Sequence, residues 1–202
     1  LGWTHEEAMT AMMRNHISSY KDLPQKVFQI HTKFRNEERA KSGILRGREF
    51  LMKDLYSFHA TEKDLDDFYA EAKKTYKTVF ARIGIGKETF VTLSSGGDFS
   101  EYSHEFQTLS PAGEDTIYLS RKKDIAVNKE IYNEKIRTSL EIEESEVTEE
   151  KSIEVGNIFK LGTKFSESLG LRYKDNTGEN KPVIMGSYGI GPGRIMGTMA
   201  EL

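Results

Sequence analysis

Four arginines stand close together at positions 35, 39, 46 and 48, inside the segment FRNEERAKSGILRGREFLMKD of residues 34–54. Arginine carries a planar fork of donors that stays charged, a shape suited to the non-bridging oxygens of a phosphate. Glu37 lies two residues beyond Arg35, so in an extended strand the two side chains share a face. One could hold phosphate while the other accepts a hydrogen bond from a base, with Phe50 offering an aromatic face for stacking. The same residues also describe a solvated hairpin with salt bridges among its Arg and Glu. They suggest an anion without identifying it.

A second candidate is GSYGIGPGR, residues 186–194. Its glycines at 186, 189, 191 and 193 would let backbone approach a ligand closely, and Arg194 follows where a helix is expected. The Gly-Lys-Ser/Thr ending of a P-loop is absent, and no βαβ unit supports a dinucleotide fold. A tight strand-to-helix connection needing small residues is the plain alternative. Thr4-His5-Glu6 carries less by itself, since Thr4 could cap a helix and Glu6 could be a first-turn carboxylate. The five histidines are scattered without metal-ligand spacing. Ser103-His104-Glu105 has the residue types of a triad, but neighbours in a strand point to opposite faces and no GxSxG elbow is present.

The elements expected to position these groups follow from periodicity. Residues 4–17 have a helical stripe, with Thr4 and Glu7 at capping-box spacing. Residues 25–35 and 48–58 alternate as strands and predict an antiparallel hairpin with a long basic loop. Residues 61–83 are the clearest helix, ended by Gly84. Short strands are expected at 88–93 and 115–119, flanking a glycine-rich stretch at 94–106. Strand-like pattern resumes at 153–166 and 182–190, and a helix closes the chain. Hairpins with inserted helices predict an α+β fold with a mainly antiparallel sheet.

At 202 residues the chain is long enough for one buried core. It has no cysteine, which excludes disulfides and thiolate metal sites, and a net charge of −3, which argues against a DNA-coating surface. No apolar run reaches the length of a membrane span, and a cytoplasmic location is the default expectation. Residues 141–150, EIEESEVTEE, are almost purely acidic and read as a solvated linker or small insertion. The chain opens at Leu1 in mid-pattern and reads as a fragment.

Taken in order, these segments resemble bacterial-type prolyl-tRNA synthetases, members of the class II aminoacyl-tRNA synthetases. LGWTHEE is similar to that family's LGPTHEE segment, with Trp3 where proline is usual. FRNEERAKSGILRGREFLMKDLYSFH resembles class II motif 2 as prolyl enzymes write it. SHEFQ, IEVGNIFKLGTKFS and GSYGIGPGR, the last similar to motif 3, complete the series.

The resemblance implies the class II catalytic fold, an antiparallel sheet flanked by helices. It also implies ATP-dependent activation of proline to prolyl-adenylate and transfer to tRNA(Pro). Arg35 would hold the α-phosphate, Glu37 the adenine amino group, and Phe50 the base. Arg46 would reach the outer phosphates and Arg194 the γ-phosphate or adenine, with Gln107 and Thr163 near ribose and phosphates. Arg35 and Arg194 would be the catalytic pair. Thr4 and Glu6 would receive the proline ammonium and Arg35 its carboxylate, with Met52, Asp54, Phe58, His104 and Ser187 around the ring. Mg2+ would bridge phosphates through ligands that the resemblance does not name, and the full-length protein would be a homodimer.

On this reading residues 1–119 and 153–202 are two parts of one catalytic domain, and 120–152 is a short insertion in place of an editing domain. Motif 1 and the anticodon-binding domain would lie outside the chain. A non-catalytic synthetase-like module and a threonyl or seryl enzyme are the competing readings.

Overall fold

The computed structural model describes residues 1–202 apart from Arg39. Ten strands and five α-helices are present among the described residues. The chain begins with α1 (Glu6–Met13) and runs into the hairpin β1 (Gln25–Phe34) and β2 (Glu49–His59). Next come α2 (Glu62–Arg82), β3 (Thr89–Ser95), β4 (Tyr102–Leu109), β5 (Asp115–Ser120) and β6 (Ile125–Asn128). After α3 (Glu134–Ser139) and the long β7 (Thr148–Gly162), the chain forms α4 (Lys164–Leu169) and the small strands β8 (Arg172–Lys174) and β9 (Asn180–Pro182). It finishes with β10 (Ile184–Ile190) and α5 (Pro192–Glu201).

Eight strands make one sheet in the order β1-β2-β10-β7-β4-β3-β6-β5, with β7 also pairing β5. Every pairing in it is antiparallel except β3 with β6. The α+β expectation is therefore met, and so is the predicted hairpin. No helix among the described residues is long and apolar enough to cross a membrane.

The 61–83 helix forms as its pattern requires. Thr61 caps it by accepting from the Asp64 N–H at 3.1 Å, and Gly84 follows in the left-handed region at φ 93°. Its stripe of Tyr69, Ala72, Tyr76 and Phe80 packs on Phe106, Val155, Ile158 and Tyr188. On the other face of the sheet, Met13 and Ile17 join Tyr56, Phe58, Leu161 and Met185 in a second cluster. Thr10 of α1 reaches Met185 there, whereas Tyr188, an odd number of residues along β10, packs on the α2 side.

Three expectations are corrected. The first helix is shorter than 4–17, because Thr4 donates to the Glu6 carboxylate instead of capping, and the chain tightens into i→i+3 bonds at Asn15 and His16. The glycine-rich stretch 94–106 is half strand, because β4 pairs β3 from Tyr102 to Thr108 and β7 from His104 to Leu109. The acidic segment is not wholly a linker: Thr148, Glu149 and Glu150 pair with β5, with Glu149 exposed and Glu150 half-buried on the opposite face.

Phe80 is fully buried against Tyr76 and Phe106. Phe80→Ala should remove about 3–5 kcal/mol of stability, measured by urea unfolding; a loss under about 1 kcal/mol would show that α2 does not carry this core.

Candidate active site

A cleft of about 220 Å³ opens between the hairpin, α1, β7, β10 and the start of α5. Its floor is one face of β2, where Phe50, Met52, Asp54 and Tyr56 recur at every second position. Arg35 enters from the end of β1 and Arg194 from the first turn of α5, so the early and late arginines meet in one cavity.

The two guanidiniums are held differently. Arg194 is pinned by three bonds: Nε donates to the Leu45 carbonyl at 2.9 Å, and one terminal nitrogen donates to the carbonyl and carboxylate of Glu154, each at 3.1 Å. Arg35 donates Nε to the Trp3 carbonyl at 3.4 Å and lies over Phe50, 5.2 Å from the ring centre. Burial lowers the pKa of Arg35 below its ordinary value; Glu154 opposes this, and the nearby charge of Arg194 reinforces it. Two cations facing one cavity make a local field that an anion would relieve.

Arg46 and Glu37 also line the cleft, yet they are joined to each other at 3.0 Å, and Arg46 reaches Glu114 at 2.9 Å. Arg48 donates to the Glu37 carbonyl at 2.9 Å. Arg39 lies outside the described residues. The salt-bridged hairpin is thus present, supplied by Arg46 and Glu37, while Arg35 and Arg194 share the cavity.

At another part of the cleft wall, Glu6 is buried in the first turn of α1. Ser187 donates to one of its oxygens at 3.1 Å, and the Thr4 hydroxyl donates to the other. Beside it, Asp54 accepts from Gln29, Lys33 and Tyr56, each at 2.8 Å. Lys33 is only 1% exposed and also contacts His5. A buried ammonium needs such a partner to stay charged.

Several cleft residues escaped the sequence reading. Lys33 and Tyr56 sat in plain view on the alternating face; Tyr56 is Asp54's same-face neighbour on β2, while only the β1–β2 pairing brings Lys33 to it. Glu154 and Asn157 lie on β7, in the segment IEVGNIFKLGTKFS, where the sequence singles out Thr163 and neither of these two. The Asn157 side chain donates to Glu154 at 3.0 Å, while its own Oδ1 is buried without a hydrogen-bond partner among the described residues. Phe99 and Phe159 line an apolar wall, 5.1 Å apart between ring centres, and Phe159 pairs with Ser187 across the strands.

The glycine segment follows the strand pattern at 182–190 and the expected closing helix. Residues Gly186 to Ile190 are strand, Gly191 alone forms the connection, and Pro192 starts α5. Gly186 is small because a Cβ there would lie 2.4 Å from the Tyr188 hydroxyl oxygen. Gly189 and Gly191 do line the cleft.

The description "tRNA synthetase class II core domain (G, H, P, S and T)" matches residues 1–202, and the chain belongs to that family. Within it, the chain is 38% identical to the proline–tRNA ligase of Sulfurimonas denitrificans, over 98% of this chain and 49% of that protein. It is also 38% identical to the proline–tRNA ligase of Rickettsia peacockii, over 99% and 50%. The chain therefore spans about half the length of these curated relatives. Among solved structures, Giardia lamblia prolyl-tRNA synthetase in complex with prolyl-adenylate is similar at a TM-score of 0.68 and 20% identity, covering 97% of this chain and 32% of that one. The Cryptosporidium parvum enzyme complexed with L-proline and AMP gives 0.70 and 17%, covering 98% and 33%. At such identities the likeness establishes the fold.

Four expected site residues do not line the cleft. Phe58 is fully buried in the apolar cluster under α1, further along β2 than the cleft reaches. Thr163 begins α4. Gln107 is buried and spends its amide on Glu105 and Asp115, each at 2.9 Å. His104 shares a strand face with Phe106 and so turns toward α2, where its Nδ1 lies 2.9 Å from the Tyr69 hydroxyl.

Burial first, then the charges of Lys73 and Lys160, lower the His104 pKa from 6.5 to about 4. Between those values the unfolded chain binds the extra proton, so this contribution to stability is whole above pH 6.5 and declines as pH falls toward 4. An NMR titration should give His104 a midpoint near 4; one near 6.5 would contradict this burial.

Proposed function

We propose that this chain is the catalytic core of a proline–tRNA ligase, which activates proline with ATP and passes the prolyl group to tRNA(Pro). The observation that carries this reading is the meeting of Arg35 and Arg194 in the cavity that also holds Glu6. Paired cations suit a polyphosphate, and a buried carboxylate suits an amino acid's ammonium. The curated relatives bearing the proline–tRNA ligase name favour proline over threonine or serine.

In the first step the proline carboxylate attacks the α-phosphorus and pyrophosphate leaves. That carboxylate is already ionised at neutral pH, so the step needs alignment rather than a base. Arg35 bridges the carboxylate and the α-phosphate and meets the negative charge that gathers as the bond forms. Arg194 meets the outer phosphates or covers the adenine, its aim fixed by Glu154 and the Leu45 carbonyl. Phe50 stacks the base, and Glu37 accepts from the adenine amino group. Arg46 serves the outer phosphates at the edge of its ion pairs.

Glu6, steadied by Thr4 and Ser187, receives the secondary ammonium. Met52 and Asp54, with Phe99 and Phe159, bound the pyrrolidine ring.

The chain carries no group of three His, Asp or Glu suited to a metal among its described residues. Mg2+ needs fewer, because it keeps waters and shares phosphate oxygens. Glu154 and the unpartnered Oδ1 of Asn157 are oxygen donors that fit it. Bound there, the ion would neutralise phosphate charge. Residues 1–119 and 153–202 would form the catalytic domain, with 120–152 in place of an editing domain, in a cytoplasmic homodimer.

The test is proline-dependent ATP–pyrophosphate exchange by the complete protein. Arg35→Ala should lower exchange by about 10²–10³-fold, since it removes a charge-stabilising donor at the reacting phosphate; near-normal exchange would refute that role. Glu6→Ala should raise the proline KM about 10-fold or more with ATP KM little changed. An unchanged proline KM would remove Glu6 from the pocket, and preference for threonine or serine would overturn the substrate assignment.

A further inference from the structure

Trp3 is the single tryptophan of the chain, and it is 56% exposed instead of buried in a core. Backbone holds it next to Thr4, which lines the cleft: the Phe34 N–H donates to the Gly2 carbonyl at 2.9 Å, extending the end of β1. Arg35 then touches Trp3 twice. Its Nε donates to the Trp3 carbonyl at 3.4 Å, and its guanidinium carbon lies 6.0 Å from the centre of the indole. Phe50 supplies another ring, 5.2 Å from that carbon. Among the described residues the terminal nitrogens of Arg35 form no hydrogen bond, in contrast to the pinned Arg194.

We infer that Trp3 is a positioning residue for Arg35: its carbonyl and indole, with the Phe50 ring, fix the guanidinium plane while leaving the outer donors for a phosphate. A guanidinium left to rotate would have to be ordered during reaction, and an indole face limits that motion without using the donors. The inference rests on the proposed meeting of Arg35 with phosphate.

The experiment uses the complete protein as wild type, Trp3→Leu and Trp3→Phe. Loss of a cation–π contact of about 1 kcal/mol corresponds to about fivefold, so Trp3→Leu should lower kcat/KM for ATP in the exchange reaction by about that factor. Trp3→Phe, which restores a ring, should recover most of the loss. Equal kinetics for wild type and Trp3→Leu, or no recovery in Trp3→Phe, would overturn the inference. The emission lost on Trp3→Phe isolates the Trp3 signal. That signal should change on adding ATP to wild type and not to Arg35→Ala; a response independent of Arg35 would also overturn it. A wild type without exchange activity sinks the ligase proposal instead, and the emission experiment then decides the Trp3–Arg35 coupling by itself.

Discussion

From Gln25 opposite Phe58 to Phe34 opposite Glu49, β1 and β2 keep one unbroken register, and the cleft is a consequence of it. Side chains alternate along a strand, so a slip of one residue would exchange the faces. Phe50, Met52, Asp54 and Tyr56 would turn toward α2, and the buried Lys33 ammonium would lose the carboxylate that makes its burial tolerable. Breaking such a pair costs about 3–5 kcal/mol, enough to select one register over its neighbours. The same strands carry Arg35 at one end and Phe50 beside it. The polar network that fixes the hairpin therefore also aims the residues that meet a ligand.

Charge in the cleft is divided by how completely each group is already answered. Arg46 is held by Glu37 and Glu114, and Arg194 by Glu154 and backbone carbonyls. Arg35 is oriented by a carbonyl and two ring faces, which set direction without satisfying its outer donors. That leaves it the cation best placed to change partners during a reaction. On the acidic side, three donors crowd one oxygen of Asp54 while its other oxygen is buried without a hydrogen-bond partner among the described residues, and Glu6 takes one hydroxyl on each oxygen.

Much of this was legible in the chain before its fold was known. The hairpin, the long amphipathic α2 and the closing helix followed from period and punctuation, because each buries one face against a neighbour. Thr4, Glu6, Arg35, Phe50, Ser187 and Arg194 were named from residue type and resemblance, and all six line the cleft. The misses share a cause. Phe58 lies on β2, whose other end floors the cleft, and His104 on β4, none of whose residues lines it; the segment alone does not say which end of a strand, or which strand of the sheet, a ligand would meet. Glu154 and Asn157 lie in a segment where the sequence singles out Thr163 and neither of them.

What the sequence settled by itself was local: which stretches alternate, which repeat with helical period, and where charged and aromatic groups are dense. Those properties depend on neighbours a few residues apart, and the chain carries them wherever it goes. Only the tertiary structure decided that Arg35 and Arg194, 159 positions apart in the chain, would face one cavity. It also decided that Trp3 would lie against Arg35. Those outcomes come from strand order, since β10 enters between β2 and β7 and brings α5 to the hairpin's face. Contacts of that range are set by the whole sheet closing its hydrogen bonds at once, a condition no local window contains.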